Sequence, residues 1–239
     1  MRIVKGGRTT YGFSIGVIML NTRFPRLLGD IGNANTFDFP VLYRMVHNAN
    51  PSRVVREQAD GLLDDFLEAA FELSAGGVGG ITTSCGFMAL HQKTIAAQIP
   101  VPVFTSSLMQ IPLVQAMLQP HQKVGVITAD SRYLTPQHFR GVGVVKAQVV
   151  VRGLETGKEL HRVLLGNREE LDVEQAEADM LEVARELVSS HPEVGAIVLE
   201  CTNMPPYAQK VKSVTGLPVF DLVTLTNFVH QAVASVGYH

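Results

Sequence analysis

The chain is poor in cysteine, lacks tryptophan altogether and carries almost no net charge. Its 239 residues include 20 Lys and Arg against 22 Asp and Glu, a formal charge of −2 with the eight His neutral. That balance gives no electrostatic reason to expect nucleic acid or an anionic membrane as partner. Two cysteines are too few for a disulfide scaffold, and neither sits in a short Cys/His cluster, so free thiols are expected and a metal is not. No apolar run approaches the roughly 18 residues of a membrane span. The run Phe13–Leu20 follows Lys5 and Arg8 but is short, strand-like and without a small-residue cleavage site, so the expected location is the cytoplasm. There is no GxGxxG and no GxxxxGK[ST]. The glycine-rich Gly76-Gly77-Val78-Gly79-Gly80 precedes a strand, whereas phosphate loops follow one. Hydrophobic residues at 46% and charged residues at 18% describe an ordinary globular chain, long enough to bury a sizeable core.

What the chain does have is a repetition. Val78-Gly79-Gly80-Ile81-Thr82-Thr83-Ser84-Cys85 recurs as Val194-Gly195-Ala196-Ile197-Val198-Leu199-Glu200-Cys201, an offset of 116. At the same offset, Val101-Pro102-Val103-Phe104 recurs as Leu217-Pro218-Val219-Phe220. Upstream, Ile15–Phe24 recurs as Val124–Tyr133 at offset 109. Three matches in one order indicate an internal duplication, with the boundary between copies near Gln119–Gln122. Each copy ends its central motif in one of the two cysteines. A two-fold arrangement of the copies would set those thiols opposite each other.

Short β-branched runs alternate with helix-period segments, the pattern of parallel α/β architecture. Strands are expected at Phe13–Leu20, Val41–Val46, Val78–Thr83, Val101–Thr105, Lys123–Thr128, Ala147–Val151, Ala196–Glu200 and Pro218–Leu222. Ala59–Ser74 reads as an amphipathic helix with Leu62, Leu63, Phe66, Leu67, Ala70 and Phe71 on its packed face, stopped by Gly76-Gly77. Its counterpart is Leu171–Ser190, with Met180, Leu181, Ala184, Leu187 and Val188 inward. Further helices are expected after each cysteine, over Leu108–Gln119 and over Thr224–Val236. Gly153–Glu170 reads as loop or irregular helix.

Ligands of parallel α/β folds bind beyond the carboxyl ends of the strands. Cys85 and Cys201 both fall there, each before an expected helix whose N-terminus would lower a thiol pKa. Either cysteine alone reads as a buried core residue; the matched pair reads as chemistry. Thr83 and Ser84 offer hydroxyls before the first thiol, and Gly86 offers an accessible backbone N–H after it. Thr202 and Asn203 follow the second thiol, as helix caps, substrate contacts or both. The other duplicated strand end supplies Asn21-Thr22-Arg23 and Asp130-Ser131-Arg132 to the rim. Arg23 and Arg26 are candidates to clamp a carboxylate, against a plain surface charge for each. His91 is assigned no role.

With Cys201-Thr202-Asn203-Met204-Pro205 as its second cysteine motif, the whole chain resembles the aspartate/glutamate racemase superfamily. That group includes aspartate, glutamate and hydantoin racemases, maleate isomerases and arylmalonate decarboxylases. The resemblance implies two similar flavodoxin-like or Rossmann-like parallel-sheet lobes, related by a pseudo-two-fold axis, with the active site between them. It implies crossed connectivity as well: residues 1–99 with 214–239 would form the lobe carrying Cys85, and 100–213 the lobe carrying Cys201. Val101–Phe104 and Leu217–Phe220 would then each join the lobe built mainly from the other copy.

The implied activity is racemisation or epimerisation of an amino acid or derivative without pyridoxal phosphate or metal. Cys85 and Cys201 would serve as acid and base on the α-carbon, with Asn21, Thr22, Arg23, Thr83, Ser84, Gly86, Thr202 and Asn203 as substrate contacts. The partner would be a small carboxylate, and the family implies a homo-oligomer. Racemases of the family commonly carry Asn-Thr after the first cysteine, where this chain has Gly86-Phe87. Two cysteines argue against the decarboxylase branch. The competing readings are maleate-type cis–trans isomerisation through a nucleophilic cysteine and a two-lobed small-molecule binding protein.

Overall fold

The computed structural model describes residue 3, residues 6–144 and residues 149–234. Two four-stranded parallel sheets carry the fold. The first has the order β2-β1-β3-β4, with β1 Ile15–Leu20, β2 Val41–Val46, β3 Gly80–Thr83 and β4 Val103–Phe104. The second has the order β6-β5-β7-β8, with β5 Lys123–Thr128, β6 Val149–Gly153, β7 Val194–Leu199 and β8 Val219–Phe220. The duplication extends to the register of the ladders. Ile15 opposes Gly80 as Val124 opposes Ala196, and Ile81 opposes Val103 as Ile197 opposes Val219. Even the bonds that open the outer ladders match: Ile81 N–H donates to Pro102 O and Ile197 N–H to Pro218 O, both at 2.9 Å.

The helices are α1 Pro51–Val55, α2 Leu63–Ala75, α3 Gln92–Ala96, α4 Ile111–Met117 and α5 Pro136–Gly141, then α6 Leu160–Gly166, α7 Val173–Ser190, α8 Ala208–Thr215 and α9 Leu222–Val233. The inner strands β3 and β7 are buried along their whole length, as their apolar runs require when helices cover both faces. In α2 the packed face is Phe66, Leu67, Ala69, Ala70 and Leu73, while Phe71 is exposed. The expected stripe is thus rotated by part of a turn, and Gly77 at φ +88° ends the segment. In α7, Met180, Ala184 and Leu187 are buried as expected, joined by Ala176 and Val183.

Two further expectations change. Val103–Phe104 and Val219–Phe220 do not exchange lobes; they extend the ladders of β3 and β7. The crossing comes one element later. Helix α4, following β4, packs on β5 of the second lobe, while α9, following β8, packs on β3 of the first. Val233 and Val229 of α9 lie directly over Gly79 and Gly80. The boundaries expected at 99/100 and 213/214 therefore move to the ends of β4 and β8. The second change is within Gly153–Glu170, which contains the regular helix α6. For the expected strand Ala147–Val151, residues 147 and 148 lie outside the described residues, as do 235 and 236 of the expected C-terminal helix. Among the described residues no helix is long and apolar enough to cross a membrane.

Candidate active site

Each cysteine follows the last residues of an inner strand, so the ladders of β3 and β7 aim the two thiols at the line where the lobes meet. Both are free; Cys85 is buried and Cys201 half-buried. Their sulfurs are held alike. Cys85 takes the backbone N–H of Phe87 and Cys201 that of Asn203, in each case two residues on. The two are close enough that charge on Cys85 opposes ionisation of Cys201.

The segments after the thiols begin as 3₁₀ turns, Gly86–His91 and Pro205–Tyr207, rather than as α-helices. The thiol pKa values move up, against the expectation from a helix N-terminus. Burial and the neighbouring Glu200 carboxylate push Cys85 to about 12, with Phe87 N–H and Arg26 acting in the opposite direction. Burial and Glu200 push Cys201 well above the ordinary thiol range as well. Burial and Glu200 thus both favour the protonated form of each thiol.

Glu200 bears on both sulfurs and is itself fully buried. Its Oε2 accepts from Thr128 Oγ1 at 2.7 Å, while Oε1 has no hydrogen-bond partner among the described residues. Burial raises its carboxyl to about 7, despite bonds from Thr128 and from the Ala129 N–H. A Cβ on Gly86 would stand 2.2 Å from Glu200 Oε1 and 2.3 Å from the Glu200 carbonyl. Contact between the lobes thus requires glycine there.

A second group comes from the long loop after β1. Arg26 Nη1 meets Asp30 Oδ1 at 2.6 Å, and Arg26 Nη2 donates to Thr22 Oγ1 at 2.8 Å. The other carboxylate oxygen of Asp30 accepts from Asn203 Nδ2 at 2.5 Å, and the Cys201 thiol donates to Asn203 Oδ1 at 3.4 Å. The loop thus reaches across to the second lobe. Gly29, at φ +100°, allows that approach, since a Cβ there would touch the backbone of Pro206 at 3.1 Å.

The expected substrate contacts divide. Asn203 and Thr22 belong to the network around Cys201. Thr83 Oγ1 lies between the carbonyls of Cys85 and Thr105, and Ser84 Oγ accepts from Leu20 N–H at 2.8 Å. Thr202 Oγ1 donates to Ser84 O at 2.7 Å, which joins the two cysteine loops directly. These three hydroxyls are buried and committed to backbone. Asn21 and Arg23 are not brought to the thiols: Asn21 donates to His47 O, while exposed Arg23 pairs with Glu169. In the second lobe, buried Asp130 is gripped by Arg132 and by His161 at 3.0 Å. Burial opposes its charge, yet those bonds hold its carboxyl down at about 2. Ser131 is tied to Glu155. Asp30 and Glu200 are not among the residues to which the sequence pattern points. For Glu200 a signal existed, an acidic residue directly continuing a six-residue apolar strand. Among the described residues no group of three His, Cys, Asp or Glu side chains is placed to hold a metal.

Two like lobes, each presenting a thiol from the end of an inner parallel strand to a shared interface, define a two-thiol α/β enzyme fold. The profile of the family described as Asp/Glu/Hydantoin racemase matches residues 107–226, and the chain belongs to that family. It is 32% identical over 224 residues to dimethylsulfoniopropionate lyase 7 of Emiliania huxleyi (strain CCMP1516), covering 90% of this chain and 65% of that protein. It is 30% identical over 222 residues to the dimethylsulfoniopropionate lyase of Durusdinium sp. clade D, covering 90% and 73%. The chain thus spans about two thirds of the length of these relatives. Among solved structures, a mutant of arylmalonate decarboxylase in its sulfate-associated form superposes with a TM-score of 0.62 at 15% identity, covering 93% of this chain and 94% of that one. Glutamate racemase RacE1 from Bacillus anthracis gives 0.58 at 15% identity, covering 93% and 84%. At such identities these two likenesses concern the fold alone.

Proposed function

We propose that this chain catalyses β-elimination on a small carboxylate bearing a cationic leaving group, with dimethylsulfoniopropionate as the first substrate to test. The observation that carries this reading is the negative charge placed beside the thiol pair. Both sulfurs lie under the influence of buried Glu200, and Arg26, the cation that bears on Cys85, is neutralised by Asp30. Such a site disfavours a second carboxylate, as in aspartate, and favours a sulfonium. A cation entering beside the thiols also lowers their pKa, so ionisation is coupled to binding. The names of the two lyase relatives support the same reaction type.

In the first step a cysteine thiolate takes the proton from the carbon next to the carboxylate; a C–H bond breaks and an S–H bond forms. The electron pair left on carbon becomes the new C=C bond. The bond from the β-carbon to the sulfonium sulfur breaks, and dimethyl sulfide leaves neutral with the electron pair of that C–S bond. The products are acrylate, dimethyl sulfide and a protonated thiol. Backbone N–H groups and the second thiol would stabilise the charge developing on the carboxylate. Racemisation shares the first step and differs in the second, where the opposite thiol returns a proton to the α-carbon. The structural equivalence of the two cysteines favours that second reading.

One experiment separates the two readings. The protein is given dimethylsulfoniopropionate with headspace detection of dimethyl sulfide, and in parallel enantiopure aspartate, glutamate and hydantoins in deuterated water. Dimethyl sulfide and acrylate in equal amounts, reduced on the order of 10²-fold or more in Cys85→Ala or Cys201→Ala, is the expected result. No sulfide, with deuterium uptake at an amino-acid α-carbon, would replace the lyase with a racemase.

A further inference from the structure

The orientation of the Asn203 amide is set by its neighbours. A carboxylate oxygen only accepts, so the contact with Asp30 Oδ2 at 2.5 Å must come from Nδ2. This turns Oδ1 to Cys201 Sγ, 3.4 Å away. An amide oxygen has no proton to give; it can receive a thiol S–H and it repels a thiolate. Asp30 cannot easily turn away, because its other oxygen holds the Arg26 guanidinium at 2.6 Å and the Gly32 N–H at 2.7 Å. Cys85 is placed differently. Among the described residues no side-chain acceptor bonds its sulfur, and the charge on Arg26 favours its ionised form.

We propose that Asp30 is a positioning residue which, through Asn203, holds Cys201 as the proton-bearing thiol and leaves Cys85 as the thiol that ionises and takes the substrate proton. This role rests on both cysteines being the reacting groups of the proposed reaction. The groups that face Cys201 are Glu200 beside it on its own strand end, Cys85 from the end of β3, and Asp30 with its Arg26 partner from the loop after β1. Glu200 acts on both thiols, so it does not distinguish them. The Asn203 amide bonds Cys201 alone, whereas Asp30 also reaches Cys85 through the Arg26 charge that it pairs.

With two cysteines in the chain, each can be followed by itself. Cys201 is alkylated with iodoacetamide as a function of pH in a Cys85→Ala background, and Cys85 in a Cys201→Ala background. The midpoint of each curve is read, because altered access changes its plateau and leaves its midpoint in place. Asn203→Leu is expected to lower the Cys201 midpoint by about one pH unit, about tenfold in thiolate at fixed pH, and to leave that of Cys85 nearly unmoved; Asp30→Asn is expected to lower the Cys201 midpoint as much and, by freeing Arg26, that of Cys85 by less. An unchanged Cys201 midpoint in either variant, or an equal fall for both thiols in Asn203→Leu, overturns the role given to Asp30. If Asp30→Asn does not fold, Asn203→Leu decides alone. The readout needs no substrate, so it stands apart from whether dimethyl sulfide is released.

Discussion

Glu200 is the residue where burial and charge are most at odds. Its carboxyl is raised to about 7 by burial, so the folded state keeps a proton that the unfolded chain has already released above the ordinary carboxylate range. The folded state is accordingly favoured in full below the unfolded pKa near 4.3, and stability declines as pH rises through the interval up to about 7. Urea unfolding at pH 5 and pH 8 should show a loss of up to roughly 3 kcal/mol attributable to this group. Glu200→Gln, which keeps the shape and removes the titration, should flatten that part of the profile. Equal slopes in the two proteins would mean that Glu200 does not change its protonation there.

At the level of elements, the exchanged helix α9 depends on the absence of side chains under it. A Cβ on Gly79 would approach Val233 Cβ to 2.9 Å and Ser14 O to 3.3 Å. Gly79→Leu should therefore lift α9 from β3, at a cost of about 1–3 kcal/mol in chemical denaturation. Strands β2 and β5 have the bounds their sequences predict, because runs of strand-favouring residues with turn residues on both sides leave little choice of ends. Helix α6 was not legible because its start is held from elsewhere. Asp179, on α7, accepts from the N–H groups of Lys158, Glu159 and Leu160, so no local capping residue marks it. The position of the cysteines was legible from the strand-end rule, and their pairing from the repeat. The site network was legible only in part. Arg26 and Asn203 stand out by type, whereas Asp30 matters because a long loop crosses to the other lobe, and no periodicity encodes that crossing. Arg23, chosen for its place beside a strand end, turns to Glu169 at the surface instead.

For the molecule as a whole, the lobes share more than an interface. Ser107 Oγ donates to Leu199 O at 2.7 Å, Gln110 Nε2 to Asp221 O at 2.8 Å and Thr202 Oγ1 to Ser84 O at 2.7 Å. With α4 and α9 also exchanged, neither sheet keeps its full cover if the other lobe unfolds. Calorimetry should therefore give one transition, with calorimetric and van't Hoff enthalpies equal; two resolved transitions would show lobes that melt independently. The exchange has a consequence for origins. A half-length forebear with the same crossing could not have covered its own sheet, and would have existed as a pair of chains swapping their last helices. Fusing that pair needed only a connector as short as residues 118–122 between α4 and β5. Fusion also freed the two copies to diverge, so that serine precedes one thiol and glutamate the other, an asymmetry closed to a symmetric homodimer.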